Sequence, residues 1–399
     1  MSQLSEAEAA PATAGSPSLA ARFERVDWKP WRLALTYVVL TRAIFYLVAL
    51  GTTMFMAAGF GPNSEEGFLD IWERWDARHF QVVAEHGWTG PEAESARAGA
   101  FFPLYPLVIR ALASIGFDTI LAGLLVSAVS TVVACTYLIK LADFEIGEGA
   151  GRRAALYLIL FPTAVFLVAP YSEALFLAGA IPAFYFARRG MWWHAALPAA
   201  VAVATRAAGM FLLAGLAVEL VVQLFRNKES RPARLLGGVT TLIAGSIPIV
   251  AYALYLQAVR GNAFQFFVDQ RDGWGRNFVG PIDSFIATWN TRAGSYPTNW
   301  IFAWRIEIIA ALFGILVTVW AMVRRDWGYA TFMGVFMVAL MTSSWYFSIP
   351  RMLLSFFPIP LYLAGYVGDH DTRHELILLG LVPIATMGVI VFTRGAWFY

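Results

Sequence analysis

Charge is what this 399-residue chain has least of. Asp, Glu, Lys and Arg make up 14% of it, against about 25% in an ordinary soluble domain. Together with 59% hydrophobic residues and a mean hydropathy of +0.61, that scarcity excludes a soluble enzyme and implies an all-α integral membrane protein. Neither sign of charge dominates. A net charge of +2 gives no basic surface for nucleic acid, so no nucleic-acid partner is expected. Cysteine is nearly absent. Cys135 alone excludes an internal disulfide and a thiolate metal cluster, and its apolar surroundings make it a small core residue. Residues 1–30 are rich in Ala, Ser and Glu and end in Arg22, Arg25 and Lys29. They carry no apolar h-region behind a basic start, which argues against a cleaved signal peptide and for a disordered cytoplasmic tail. No soluble domain, short repeat or low-complexity linker follows, so residues 31–399 read as one transmembrane domain.

What the chain has is long apolar runs. A bilayer core needs about 20 apolar residues per helical pass. Candidate spans fall at 33–58, 119–142, 153–169, 172–188, 192–207, 209–225, 235–258, 301–323, 328–346, 352–367 and 375–393, eleven in all. The stretch 192–225 is long for one pass and short for two, and Ala207-Ala208-Gly209 marks a break. Basic residues arbitrate. With the N-terminus inside, eleven passes put Arg152-Arg153, Arg188-Arg189, the Arg226–Arg234 cluster, Arg324-Arg325 and Arg373 on the cytoplasmic side. Loop 61–100, with three basic and eight acidic residues, then falls outside, as the positive-inside rule requires. One pass at 192–225 would reverse everything after it. Two outer loops result, about 61–118 and 259–300. The first runs into Phe101-Phe102-Pro103-Leu104-Tyr105-Pro106, whose prolines predict an interfacial or re-entrant helix through residue 117. The second is rich in Gly, Trp and Asn and contains Asp272-Gly273-Trp274-Gly275-Arg276.

Ionisable groups within spans are expensive, about 2.5–3.5 kcal/mol at mid-membrane, and are functional candidates by default. Those singled out are Arg42, Glu173, Arg206 and Arg351, with Arg110 in the re-entrant segment. The predicted topology puts Glu173, Arg206 and Arg351 at the outer ends of their spans, on the same face as Asp76 in the first outer loop. Each has a plainer reading. Asp76 could cap a helix or pair with Arg74 or Arg78, and Glu173 could cap the fourth span. The arginines could snorkel, and Arg42, nearer mid-span, could pair with an acid. His79 and His86 lie seven apart and share a face if helical. Two histidines are a weak metal signal, and hydrogen bonding to substrate hydroxyls is the better use. No DxD-type pair stands in the first outer loop, and Asp369-His370-Asp371 falls on the inner side, so no metal or other cofactor is expected.

Trp75-Asp76-Ala77-Arg78-His79-Phe80, Ala84-Glu85-His86-Gly87-Trp88 and Ala100-Phe101-Phe102-Pro103-Leu104-Tyr105-Pro106-Leu107 form one block. Leu160-Phe161-Pro162-Thr163-Ala164-Val165-Phe166-Leu167 with Pro170-Tyr171-Ser172-Glu173-Ala174-Leu175-Phe176 form a second. Together these resemble the PIG-V family of GPI mannosyltransferases and their bacterial relatives. Thr205-Arg206-Ala207-Ala208-Gly209, and Arg351 with Phe356-Phe357-Pro358, agree more loosely. The resemblance implies a GT-C type multi-helix bundle with its active site facing away from the cytoplasm, in a bacterial plasma membrane or, in a eukaryote, the ER. It implies an inverting transfer of mannose from polyprenyl-phosphate-mannose to a glycolipid or glycan acceptor, yielding an α-mannoside. Asp76 is then the expected base, and Arg206 and Arg351 the groups that bind the donor phosphate. His79, Trp75, Glu173 and His86 are expected to contact sugar or acceptor. The familiar acceptor does not carry over, because a bacterium makes no GPI. Another polyprenyl-phosphate sugar, a protein acceptor, a lipid-linked sugar flippase or a non-catalytic scaffold remain as alternatives. A flippase would place charges through the midplane with inverted repeats, whereas here they gather at one end.

Overall fold

The computed structural model describes residues 27–55, 67–226, 231–290 and 298–398. Most of the predicted tail, residues 1–26, lies outside them. Chain order is α1 (Lys29–Phe55), α2 (Asp76–His86), α3 (Pro91–Ser95), α4 (Leu104–Ala113), α5 (Thr119–Glu145), α6 (Ala150–Ile159), α7 (Val165–Val168), α8 (Glu173–Arg188) and α9 (Trp192–Thr205). Then follow α10 (Ala208–Arg226), α11 (Arg231–Arg260), α12 (Gln265–Trp274), α13 (Pro281–Trp289), α14 (Thr298–Val323), α15 (Trp327–Met341), α16 (Ile349–Met352), α17 (Pro358–Val367) and α18 (Asp371–Thr393).

Among the described residues six helices are long and apolar enough to cross a bilayer: α1, α5, α10, α11, Ile301–Val323 within α14, and α18. Other predicted spans are shorter or interrupted. The run 153–169 splits into α6 and α7 around Pro162, and 352–367 divides at Phe356-Phe357 before Pro358. Proline lacks the N–H that would bond the preceding turn, so it favours a break or a helix start, although Pro182 and Pro198 are carried inside α8 and α9. The stretch 192–225 is two helices. Arg206 adopts extended backbone between α9 and α10. At 14 residues α9 is about 21 Å long, well under the roughly 30 Å hydrocarbon core.

The core is α8, gripped by α5 and α9. Gly179 lets α8 and α9 touch: a Cβ there would sit 2.7 Å from the Pro198 carbonyl oxygen and 2.6 Å from the Ala202 nitrogen. Such small-residue contacts are how helices associate without a hydrophobic driving force. At the C-terminal end of α8, Arg188 stands among Glu145, Glu219 and Asp326 at 3.3, 3.5 and 3.6 Å, over the ring of Tyr329. Four helices are tied at that end. The opposite end of α8, opened by Glu173, faces the loops that carry the candidate site.

Candidate active site

The site grows from three chain turns. The first precedes α2. Trp75 sits at φ 52°, a left-handed conformation that costs a non-glycine residue free energy. The Tyr171 hydroxyl donates to the Arg74 carbonyl at 2.8 Å and pins the turn. Asp76 is thereby the first residue of α2, where the helix dipole favours a carboxylate. The second turn is Arg206, between α9 and α10. The third is Ser348, at φ 62°, before α16. The Glu307 carboxylate accepts from the backbone N–H groups of Ser348 and Ile349, both at 2.7 Å, and so fixes the turn that aims Arg351.

These turns converge. Arg351 Nη1 donates to Asp76 Oδ2 at 2.6 Å and its Nε to Glu173 Oε1 at 2.5 Å. Arg206 Nη1 meets the same Glu173 oxygen, and its Nη2 reaches Met352 Sδ at 3.2 Å. The rings of Phe166 and Tyr171 cover the Arg351 guanidinium at 4.8 and 4.6 Å. Two acids and two arginines thus form a compact neutral group. Exposure separates their uses. The Asp76 side chain is 24% exposed and can meet a substrate, whereas Glu173 is at 0%. Glu173 is therefore closed to any ligand and holds the arginines, against the expectation that it contacts sugar or acceptor. Burial raises the Asp76 pKa, but the Arg351 guanidinium more than offsets this and holds the carboxyl below its usual range. The charged form of Asp76 prevails.

Asp76 opens onto a cavity of about 880 Å³ whose lining includes Trp75, His79, Arg206, Arg276 and Arg351. Its remaining wall is largely aromatic, including Phe211, Phe266, Phe278, Phe336 and Trp345. His79 stacks on Phe101 with centroids 5.2 Å apart, and its Nδ1 lies 2.8 Å from the Ala96 carbonyl oxygen. Trp75 meets Trp397 edge-on.

Besides that of Glu173, three expectations need correction. His86 closes α2 beside Glu85 and is not part of the cavity wall, because seven residues of helix carry it about 10.5 Å along the axis. Arg42 pairs with no acid among the described residues; it donates to the Leu167 and Val168 carbonyls that α7 leaves open, at 2.6 and 3.3 Å. Arg110 caps α2 through the carbonyls of Ala84 and Val83. Two residues of the site escaped the sequence reading. Glu307 is ionisable within an apolar run, the very signal that singled out Glu173. Arg276 lies in a polar loop, where composition gives no signal. Burial pulls its pKa down and the nearby Asp76 charge opposes this.

The long apolar helices mark a multi-pass membrane protein, and its backbone is GT-C-like. The backbone is similar to ArnT from Cupriavidus metallidurans, solved bound to undecaprenyl phosphate, with a TM-score of 0.51 at 16% identity, covering 89% of this chain and 64% of that one. Residues 48–290 match the family described as Mannosyltransferase (PIG-V), and the chain belongs to that family. GPI alpha-1,6-mannosyltransferase 2 of Homo sapiens is 32% identical over 164 residues, 38% of this chain and 32% of the human protein. The Mus musculus protein of that name is 32% identical over 167 residues, 39% of this chain and 33% of its own. These matches span about a third of the curated relatives' length.

Proposed function

We propose that the protein is an inverting mannosyltransferase taking mannose from polyprenyl-phosphate-mannose. The acceptor is a glycolipid or glycan on the non-cytoplasmic side. On this reading the chain makes eleven passes with its N-terminus in the cytoplasm, and the cavity opens outward. Family membership supports the sugar. The observation that carries the chemistry is the Asp76 carboxylate, paired with Arg351 yet 24% exposed, at the polar end of a cavity whose other wall is aromatic.

The acceptor hydroxyl oxygen attacks the anomeric carbon while its proton passes to Asp76. The bond between that carbon and the phosphate oxygen breaks, and its electron pair leaves with the phosphate. Positive charge building on the sugar ring is stabilised by the same carboxylate. Arg206 and Arg351 line the cavity beside Asp76 and are assigned the leaving phosphate, whose growing charge guanidinium matches through several N–H donors. His79 and Trp75 line the same cavity and are assigned contacts with the sugar or acceptor. Glu173 keeps both arginines in position.

The test is Asp76→Asn in purified, lipid-reconstituted enzyme given a panel of labelled polyprenyl-phosphate sugars. Transfer of mannose by the unaltered enzyme and a loss of about 10²–10⁴-fold in the variant are expected, with an unchanged elution profile. Turnover near that of the unaltered enzyme would remove Asp76 from the role. Preference for another sugar would replace mannose.

A further inference from the structure

Four arginines line the cavity: Arg206, Arg271, Arg276 and Arg351. Arg206 and Arg351 are neutralised by Glu173 and Asp76. Arg271 is paired with Asp272 at 2.8 Å. Arg276 alone has no carboxylate partner among the described residues, and its Nε is buried with no hydrogen-bond acceptor. A buried guanidinium N–H left unsatisfied costs free energy unless something else supplies the acceptor.

The local fold holds this side chain in place. α12 ends on Gly275 at φ 63°, where its Cα faces Trp345 so closely that a Cβ would lie 2.7 Å from the indole. The chain then runs antiparallel to 342–344. Asn277 N donates to Ser344 Oγ at 3.0 Å and Val279 N to the Thr342 carbonyl at 2.9 Å, around a bridge between Phe278 and Ser343. The guanidinium lies over the Phe347 ring, 5.8 Å from its centroid. Arg276 therefore projects from a segment pinned by hydrogen bonds on both sides, its own N–H donating to the Gln270 carbonyl at 3.3 Å, rather than from a loose loop.

We propose that Arg276 is the phosphate anchor of the donor site, binding the single negative charge of a polyprenyl-phosphate sugar while the aromatic wall takes the start of the lipid. This rests on the donor class proposed above and divides the labour among the arginines. Arg276 supplies the uncompensated positive charge that draws the donor in. Arg351, tied to Asp76 in the resting site, is released only when Asp76 takes the proton.

The experiment uses full-length protein in nanodiscs, with undecaprenyl phosphate as probe and undecaprenol, the uncharged alcohol, as its control. Binding is read by tryptophan fluorescence, and donor and acceptor KM are measured separately. Arg276→Gln is expected to weaken undecaprenyl phosphate binding about 10- to 100-fold and to leave undecaprenol binding alone. Donor KM should rise while acceptor KM stays, and Arg276→Lys should recover part of the loss. A rise confined to acceptor KM would assign the charge to an anionic acceptor and overturn the proposal. So would unchanged phosphate binding in Arg276→Gln, or failure of the unaltered protein to bind undecaprenyl phosphate. Selective loss of phosphate binding in Arg276→Gln, with the unaltered enzyme inactive on every lipid-phosphate sugar, would uphold the anchor and refute mannosyl transfer. Should Arg276→Gln fail to fold, Arg276→Met, also uncharged and unbranched, carries the same comparison.

Discussion

Asp76 and its neighbours keep their total charge constant through the proposed reaction. The donor is a phosphodiester with one negative charge. As the sugar departs, the phosphate gains a second charge while Asp76 loses its own to the arriving proton. Arg351, bonded to Asp76 at 2.6 Å, can then turn toward the phosphate. Asp76 faces Arg351, His79 and Arg206, and its depressed pKa fixes the sign of the pH effect. Activity that needs ionised Asp76 is present above that pKa and lost as pH falls through it, below the ordinary value of about 3.9. The kcat/KM profile should therefore be flat from about pH 8 to 5. An acid limb above about pH 5.5 that disappears in Asp76→Asn would contradict this. Asp76, Glu173, Arg206 and Arg351 were legible in the sequence because charge is costly in an apolar run or stood in a family block. Arg276 was not: in a polar loop an arginine costs nothing, and only the cavity around it gives it meaning.

At the scale of elements, α16 is four residues long and could not orient Arg351 unaided. Its register is fixed from another helix by Glu307, which is 2% exposed and takes two backbone N–H groups. Glu307→Ala leaves both donors buried and unmet, at about 1–3 kcal/mol each. A lower Tm and a fall in kcat exceeding any change in donor KM are expected, measured on the solubilised protein. Unaltered Tm and kcat would show that the turn at Ser348 holds itself. Hydropathy located these elements but misjudged their continuity. It read 153–169 and 352–367 as uninterrupted spans, although Pro162 and Pro358 break them, because apolar content averages over a proline. Likewise the spacing of His79 and His86 gave their direction but not their distance along α2.

For the whole molecule, α8 joins two polar clusters, Glu173 with its arginines at one end and Arg188 with three carboxylates at the other. The positive-inside reading used Arg188 as a free basic marker. Its charge is instead absorbed within the bundle, so the proposed orientation leans on Arg152-Arg153, the Arg226–Arg234 cluster and Arg324-Arg325. Orientation is directly measurable. Cys135, the single cysteine, is fully buried, so added thiols report alone. His86→Cys, in the exposed end of α2, should react in intact cells with a membrane-impermeant maleimide, and Arg226→Cys only after permeabilisation. The reverse pattern would invert the proposed topology.

The bond between Arg351 and Asp76 also bears on how a catalytic cycle ends. In the proposed reaction a spent lipid phosphate, doubly charged, is a better ligand for three guanidinium groups than the incoming donor, which would predispose the enzyme to product inhibition. When Asp76 gives its proton to solvent it reclaims Arg351, and the cavity loses one unit of attraction for the dianion. Deprotonation of the base would then double as the ejection step.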